Sequence, residues 1–322
     1  MKKRYLLGAI SALAALACAV PAWAQNFPQR PVTLVVPFAP GGNLDVVART
    51  LAPALGRALG QSVIVENRAG AGGAIGVSYA ARAQPDGYTL LVSTPNALVV
   101  LPLMTKTAYQ LDSFRPIGLA ATTPLVMVVQ GQGHFKNVEA LMSEARAQPG
   151  RVSVGHAGPG TTNHIAILQL EQVAKLDLNA VPYKGSAPAL MDLIGGQIDL
   201  VVDQLSSSAT HIQSGALRAV AVMSRERDPA LPGVPTLREA GLANFEATTA
   251  TGLLAPAGTP QEIVDTLNAA LRKALGDDAV KRSLIAVGSP GRASSSQEWL
   301  GMLKKEEANA QLLAKAGKLK AD

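Results

Sequence analysis

Apolar positions along the chain fall into two alternating spacings. Short runs of aliphatic and β-branched residues predict strands at 34–36, 62–66, 88–92, 125–130, 151–155, 181–185, 198–202, 217–223 and 248–254. Between them, apolar residues recur at helical spacing. These stretches predict helices from Leu44 to near Gly60 and over 77–83, 138–147, 165–174, 187–194, 261–275 and 296–315, with a buried helical or irregular piece at 98–104. Strand and helix alternate almost throughout, which predicts an α/β fold. The Pro/Gly-rich stretch 228–235 (DPALPGVP) reads as the clearest linker and as a crossing between two domains.

The first strand runs into Pro37-Phe38-Ala39-Pro40-Gly41-Gly42-Asn43 and then straight into a helix. A helix that starts directly after a strand points unpaired N–H groups and the positive end of its dipole into the space above the sheet edge, where an anion is stabilised. Gly41 and Gly42 let a ligand approach that backbone, and Asn43 or Asp45 can cap or orient it. The same format returns at 151–165, where a strand leads into His156-Ala157-Gly158-Pro159-Gly160 and the cap cluster Thr161-Thr162-Asn163. An anion held between two lobes would use both helix starts. Ser93, Thr94 and Thr161 would donate hydroxyls, and Asp45 or Asp203 would accept from a protonated or hydroxylated ligand group. Hinge closure would then bury the ligand.

The start of the chain has another purpose. Lys2, Lys3 and Arg4, an apolar stretch over 6–20 and Ala22-Trp23-Ala24 form a secretory signal peptide, residues 1–24, cleaved before Gln25. Its removal takes away Cys18, the only cysteine, so thiolate chemistry and disulfides are excluded from the mature chain. Removal also lowers the formal net charge of +6 by three, and the remaining basic residues are interspersed with acids, unlike a nucleic-acid footprint.

Other chemistry is sparse. Gly70-x-Gly72-x-x-x-Gly76 resembles a dinucleotide loop, but three residues separate it from its strand and no strand-terminal acid follows at the distance a ribose needs. His156 and His164 lack metal-ligand spacing, and His164 reads as a packed or capping residue. There is no G-x-S-x-G elbow, Walker loop or H-E-x-x-H. An exported hydrolase using Asp203 or His156 is the competing class.

Six motifs in order, RPVTLVVPFAPGGNLDVVAR, GQSVIVENRAGAGG, PDGYTLL, VPYKG, VPTLREAG and APAGTP, span most of the chain. Through them the chain resembles the periplasmic solute-binding proteins of the tripartite tricarboxylate transporter family, also called Bug receptors. The resemblance implies a two-lobed Venus-flytrap fold of periplasmic-binding-protein type II, with a hinge between two mixed-sheet domains. It implies a monomer without catalysis, cofactor or metal that delivers a carboxylate to membrane permease subunits, or, as some relatives do, signals to a membrane sensor. The expected lobes are 25–127 with 231–322, and 128–230. By position, the family's ligand loops fall on Phe38, Ala39, Gly42, Asn43 and Asp45 in the first lobe and on His156, Ala157, Gly160, Thr161, Thr162 and His164 in the second. Three departures from the family pattern stand out: Ala157 replaces a hydroxyl, Ala250 stands near the place of an aromatic, and the segment after Ser93 lacks the usual His and Asn-Pro. The last two open the pocket to a ligand bulkier than a short dicarboxylate.

Overall fold

A computed structural model describes residues 27–243, 245–315 and 319; the leader segment and Cys18 lie outside them. Nine strands form one curled mixed sheet in the order β2-β1-β3-β9-β4-β7-β5-β6, with β8 also paired to β4. The strands are β1 (Val32–Val36), β2 (Val63–Asn67), β3 (Thr89–Ser93), β4 (Phe114–Gln130), β5 (Ser153–His156), β6 (Asn179–Pro182), β7 (Leu200–Gln204), β8 (Leu217–Val222) and β9 (Thr248–Pro256). The helices are α1 (Asn43–Leu59), α2 (Ala74–Ala81), α3 (Val138–Ala147), α4 (Thr162–Ala174), α5 (Ser186–Ile194), α6 (Leu205–Gln213), α7 (Gln261–Gly276), α8 (Asp278–Ala286) and α9 (Ser296–Lys315). A π-turn at Asn96–Val100 continues into one α-turn, Leu101–Met104.

The halves are separated by where β4 changes partner. Its first part pairs antiparallel with β9 as far as Pro124 opposite Thr248. From Leu125 it pairs instead with β7 and β8. Pro124 has no N–H to give to a ladder, so a partner change is tolerated there. Each half then buries its own apolar faces. Val47, Leu51 and Leu55 of α1 pack with Leu34, Leu90, Leu267 and Leu271 in one core, while Val154, Ile167, Leu170 and Val202 pack with Leu125 and Met127 in another.

The return crossing departs from the sequence expectation. Leu237, Phe245 and Ala247 are buried in the second half's core, Ala247 N donates to Met223 O, and Leu125 N donates to Ala247 O. The Pro/Gly stretch 228–235 is therefore a surface excursion, and the chain crosses back at the start of β9. Three elements also went unread: the first part of β4, α6 and α8.

Candidate ligand-binding site

Four helix N-termini converge between the halves. Helices α1, α4, α5 and α6 begin at the carboxyl ends of strands or the turns after them, and Gly42–Leu44, Thr161–Asn163, Ser186 and Gln204 from their first turns line one cavity, together with Phe38, Thr94 and Ala157. Glycines 42 and 185 cap α1 and α5, and Gln204 caps α6, none through a side-chain hydrogen bond. First-turn N–H groups of these helices consequently have no side chain competing for them. At α4 the cap residue Thr161 accepts from His164 N and its hydroxyl donates to Gly158 O at 2.7 Å. No Lys, Arg, Asp or Glu lines the cavity. What the site presents is the summed positive ends of four helix dipoles plus hydroxyls and amides, a setting that favours an acceptor-rich anion.

The floor is a buried polar lattice that joins the halves. Asn43 Nδ2 donates to Thr251 Oγ1 at 3.1 Å, and Asn43 Oδ1 accepts from Thr123 at 3.0 Å and from Ser206 at 2.7 Å. Thr123 and Ser289 share a 2.6 Å hydrogen bond. Gln204 Nε2 donates to Asn163 Oδ1 and to Thr249 Oγ1, at 3.0 and 3.2 Å. These groups satisfy one another out of water, so each side chain at the floor is held in place. The cavity is small, about 30 Å³. That holds roughly two waters, so a larger ligand enters only when the halves part.

Of the residues singled out from sequence, Phe38, Gly42, Asn43, Thr94, Ala157, Thr161 and Thr162 meet at this cavity. The others stand behind it. Asp45 accepts from Gly41 N at 2.9 Å, from Asn67 Nδ2 at 2.8 Å and from Arg49 Nε, which fixes the shape of the first loop; the same contact raises the Arg49 pKa further above its usual range. Ala39 N donates to Lys184 O of the other half at 3.3 Å. Ser93 is buried below Thr94. His156 and His164 stack with ring centroids 4.6 Å apart, and their Nδ1 atoms accept from Gly158 N and Gly160 N, both at 3.2 Å. The pair thereby shapes the second loop.

Asp203 is fully buried beneath α6, where Ser207 and Ser208 donate to its Oδ2 at 2.5 and 2.6 Å. Burial pushes its carboxyl above the ordinary value, against the lowering effect of Ser186, Ser207, Ser208 and the Gln204 backbone. Asp203 and His156, the residues a hydrolase would need, both lie outside the cavity lining. Ala250 also fails to reach the cavity: it packs against the core that contains Leu98 and Trp299.

Leu44, Ser186 and Gln204 line the cavity without having been singled out, and Asn163, read from sequence only as part of a helix cap, joins them. Ser186 and Gln204 each stand at a strand-to-helix turn, the same signal that marked the first two loops.

The curled sheet, the partner change in β4 and the interlobe cavity define a two-lobed α/β solute-binding protein of the periplasmic-binding-protein type. The chain belongs to the family described as Tripartite tricarboxylate transporter family receptor, which matches residues 47–319. Protein BugT of Bordetella pertussis is 36% identical over 297 residues, covering 91% of this chain and 91% of that protein. Among solved structures, the periplasmic binding protein BugD is 36% identical with a TM-score of 0.86, over 91% of this chain and 100% of that one. MatC from Rhodopseudomonas palustris with bound malate is 34% identical (TM-score 0.84, 89% of this chain and 100% of that one). R. palustris Rpa4515 with adipate is 35% identical (TM-score 0.86, 92% of this chain and 100% of that one). No helix among the described residues is long and apolar enough to cross a membrane.

Proposed function

We propose that this protein is exported by its leader, residues 1–24, captures a small organic carboxylate between its lobes and presents it to the permease subunits of a tripartite tricarboxylate-type transporter. The observation that carries this reading is the convergence of four helix N-termini on a cavity without a charged side chain. Each carboxylate oxygen accepts more than one N–H or O–H bond, and the helix dipoles supply the compensating positive potential. The malate and adipate bound by MatC and Rpa4515 are dicarboxylates, which agrees with that chemistry. The lobes of this reading are 27–124 with 248–315, and 125–247.

Thermal-shift measurements with malate, adipate, monocarboxylates and aromatic acids test the reading. A ligand that binds only the folded state stabilises it by about 2.7 kcal/mol at a hundred times its Kd. At least one acid is expected to raise Tm in a concentration-dependent way, with no turnover detected. Silence across the whole series would remove the carboxylate assignment.

A further inference from the structure

The glycine-rich stretch from Arg68 to Gly76 is a sequence motif that ligand binding leaves unused. Its glycines do different work. A Cβ at Gly76 would lie 2.7 Å from Pro37 Cα, so that glycine lets α2 pack onto the end of β1. At Gly73 a Cβ would lie 3.0 Å from the tip of the Phe38 ring, so that glycine seats the aromatic that lines the cavity. Gly72 faces the other lobe: a Cβ there would sit 2.4 Å from the carbonyl oxygen of Pro159, and a Cβ at Gly158 would sit 3.2 Å from Gly72 Cα. Ala71 and Pro159 are exposed while Gly72, Gly158 and Gly160 are buried, so this contact runs along the outer edge of the cleft. A second contact between the lobes lies nearby, on the residues after Tyr183, whose carbonyl oxygen is 3.1 Å from a Cβ built at Gly158. There Ala39 N bonds Lys184 O, and a Cβ at Gly185 would lie 3.2 Å from Ala39 N.

We infer that Gly72, against Gly158 and Pro159, is the seal of the closed cleft: backbone meets backbone there, and the lobes shut fully only because position 72 carries no side chain. The inference rests on the proposed ligand reading for its purpose, since a sealed edge keeps water from the helix N-termini and makes their N–H groups available to the ligand alone. It does not depend on which acid binds.

The test compares two alanines with matched backbone demand. Gly72 has φ +61° and Gly60, at the end of α1, has φ +70°, but nothing lies within 4 Å of a Cβ built at Gly60. Both substitutions therefore carry the left-handed backbone penalty, and only Gly72→Ala adds the cross-lobe collision. Spin labels at two exposed positions, Arg82→Cys in the first lobe and Gln172→Cys in the second, in the leaderless chain that lacks Cys18, report the interlobe distance by pulsed electron resonance. Gly72→Ala is expected to lengthen that distance by several ångströms while Gly60→Ala matches the parent. Both variants are expected to give the same far-UV spectrum and Tm. For any acid that binds the parent, Gly72→Ala is expected to weaken affinity at least tenfold and Gly60→Ala to leave it within about twofold. Equal distances in the two variants, or unfolding of Gly72→Ala alone, would overturn the seal. Should no acid bind even the parent, the carboxylate reading fails, while the distance comparison still decides the seal.

Discussion

Single residues in this site divide by whether they meet the ligand space or shape the loops that do. Asp45 and Asp203 were both candidates to touch a ligand, yet Asp45 accepts from its own lobe through both oxygens, and Asp203 accepts two serine hydroxyls at Oδ2 while its Oδ1 is buried without a hydrogen-bond partner. Asp203 makes a testable statement about pH. Burial without a basic partner raises its folded-state pKa above 3.8, its ordinary value. For an acid shifted upward, the folded state holds the proton more tightly than the unfolded chain. Its burden on stability is therefore absent well below pH 3.8, grows as pH rises through the raised folded value, and is complete above it. Asp203→Asn keeps an acceptor for the serine hydroxyls and removes the charge. The variant's unfolding free energy minus that of the parent, from urea titrations between pH 4 and 8, is expected to increase with pH and then level off. Taking the difference cancels the titration of other groups. A difference that decreases with pH would mean that the serines and the start of α6 hold the carboxylate form, and the prediction would be wrong.

At the scale of elements, what was legible and what was not follows from where the information resides. Helix α1 is written locally: Leu44, Val47, Ala48, Leu51 and Leu55 form one apolar stripe, and Gly60 at φ +70° stops it. The two loops at Phe38–Asp45 and His156–Thr162 were readable for the same reason, since strand, glycine turn and helix start are short-range signals. The first part of β4 was not. It contains Pro116, Gly118 and Pro124 among small residues, and becomes a strand because β9, more than a hundred residues later, pairs with it. Helix α6 begins at Leu205 and carries three serines in its first turn, weak helix formers that give little local signal. It is stabilised instead by Asp203, which takes two of their hydroxyls. The return crossing was misplaced because Pro and Gly mark a turn but do not say which lobe's core the following apolar residues join; Leu237 and Phe245 answer that only in three dimensions. Helix α4 carries the element-scale prediction. Thr161→Val removes both the cap on His164 N and the donor to Gly158 O. A loss of about 1 kcal/mol of stability is expected, with roughly tenfold weaker binding of an acid that stabilises the parent, from the disturbed first turn. Thr161→Ser is expected to restore both. Calorimetric titration of the two variants checks it; unchanged affinity in the valine variant would take Thr161 out of the site.

Across the whole molecule, the hydrophobic clusters fall mainly in one half or the other, and the connections between the halves decide whether they unfold separately. Only β4 and the start of β9 carry the chain between the lobes, but they do so as paired strands of one continuous sheet. The polar lattice at the cavity floor adds side chains from α1, β4, β9, α4 and α6 to that junction. Opening either lobe would strip these buried groups of their partners, at about 1–3 kcal/mol for each one left unsatisfied. That coupling predicts a single cooperative transition. Trp299 provides a one-sided reporter, since it is fully buried against the first half's sheet, where a Cβ at Gly252 would lie 2.5 Å from its ring. The only other tryptophan in the sequence, Trp23, belongs to the leader, so the processed protein has tryptophan fluorescence from the first lobe alone, while far-UV dichroism reads helices in both. The two probes are expected to trace one urea curve with a common midpoint and slope. In a Asn43→Ala variant, which removes the amide that joins Thr123, Thr251 and Ser206, the curve is expected to move to lower urea, with the probes still coincident if the paired strands carry most of the coupling and separated if the lattice does. Separate transitions in the parent protein would show that the lobes are independent domains linked only by the chain.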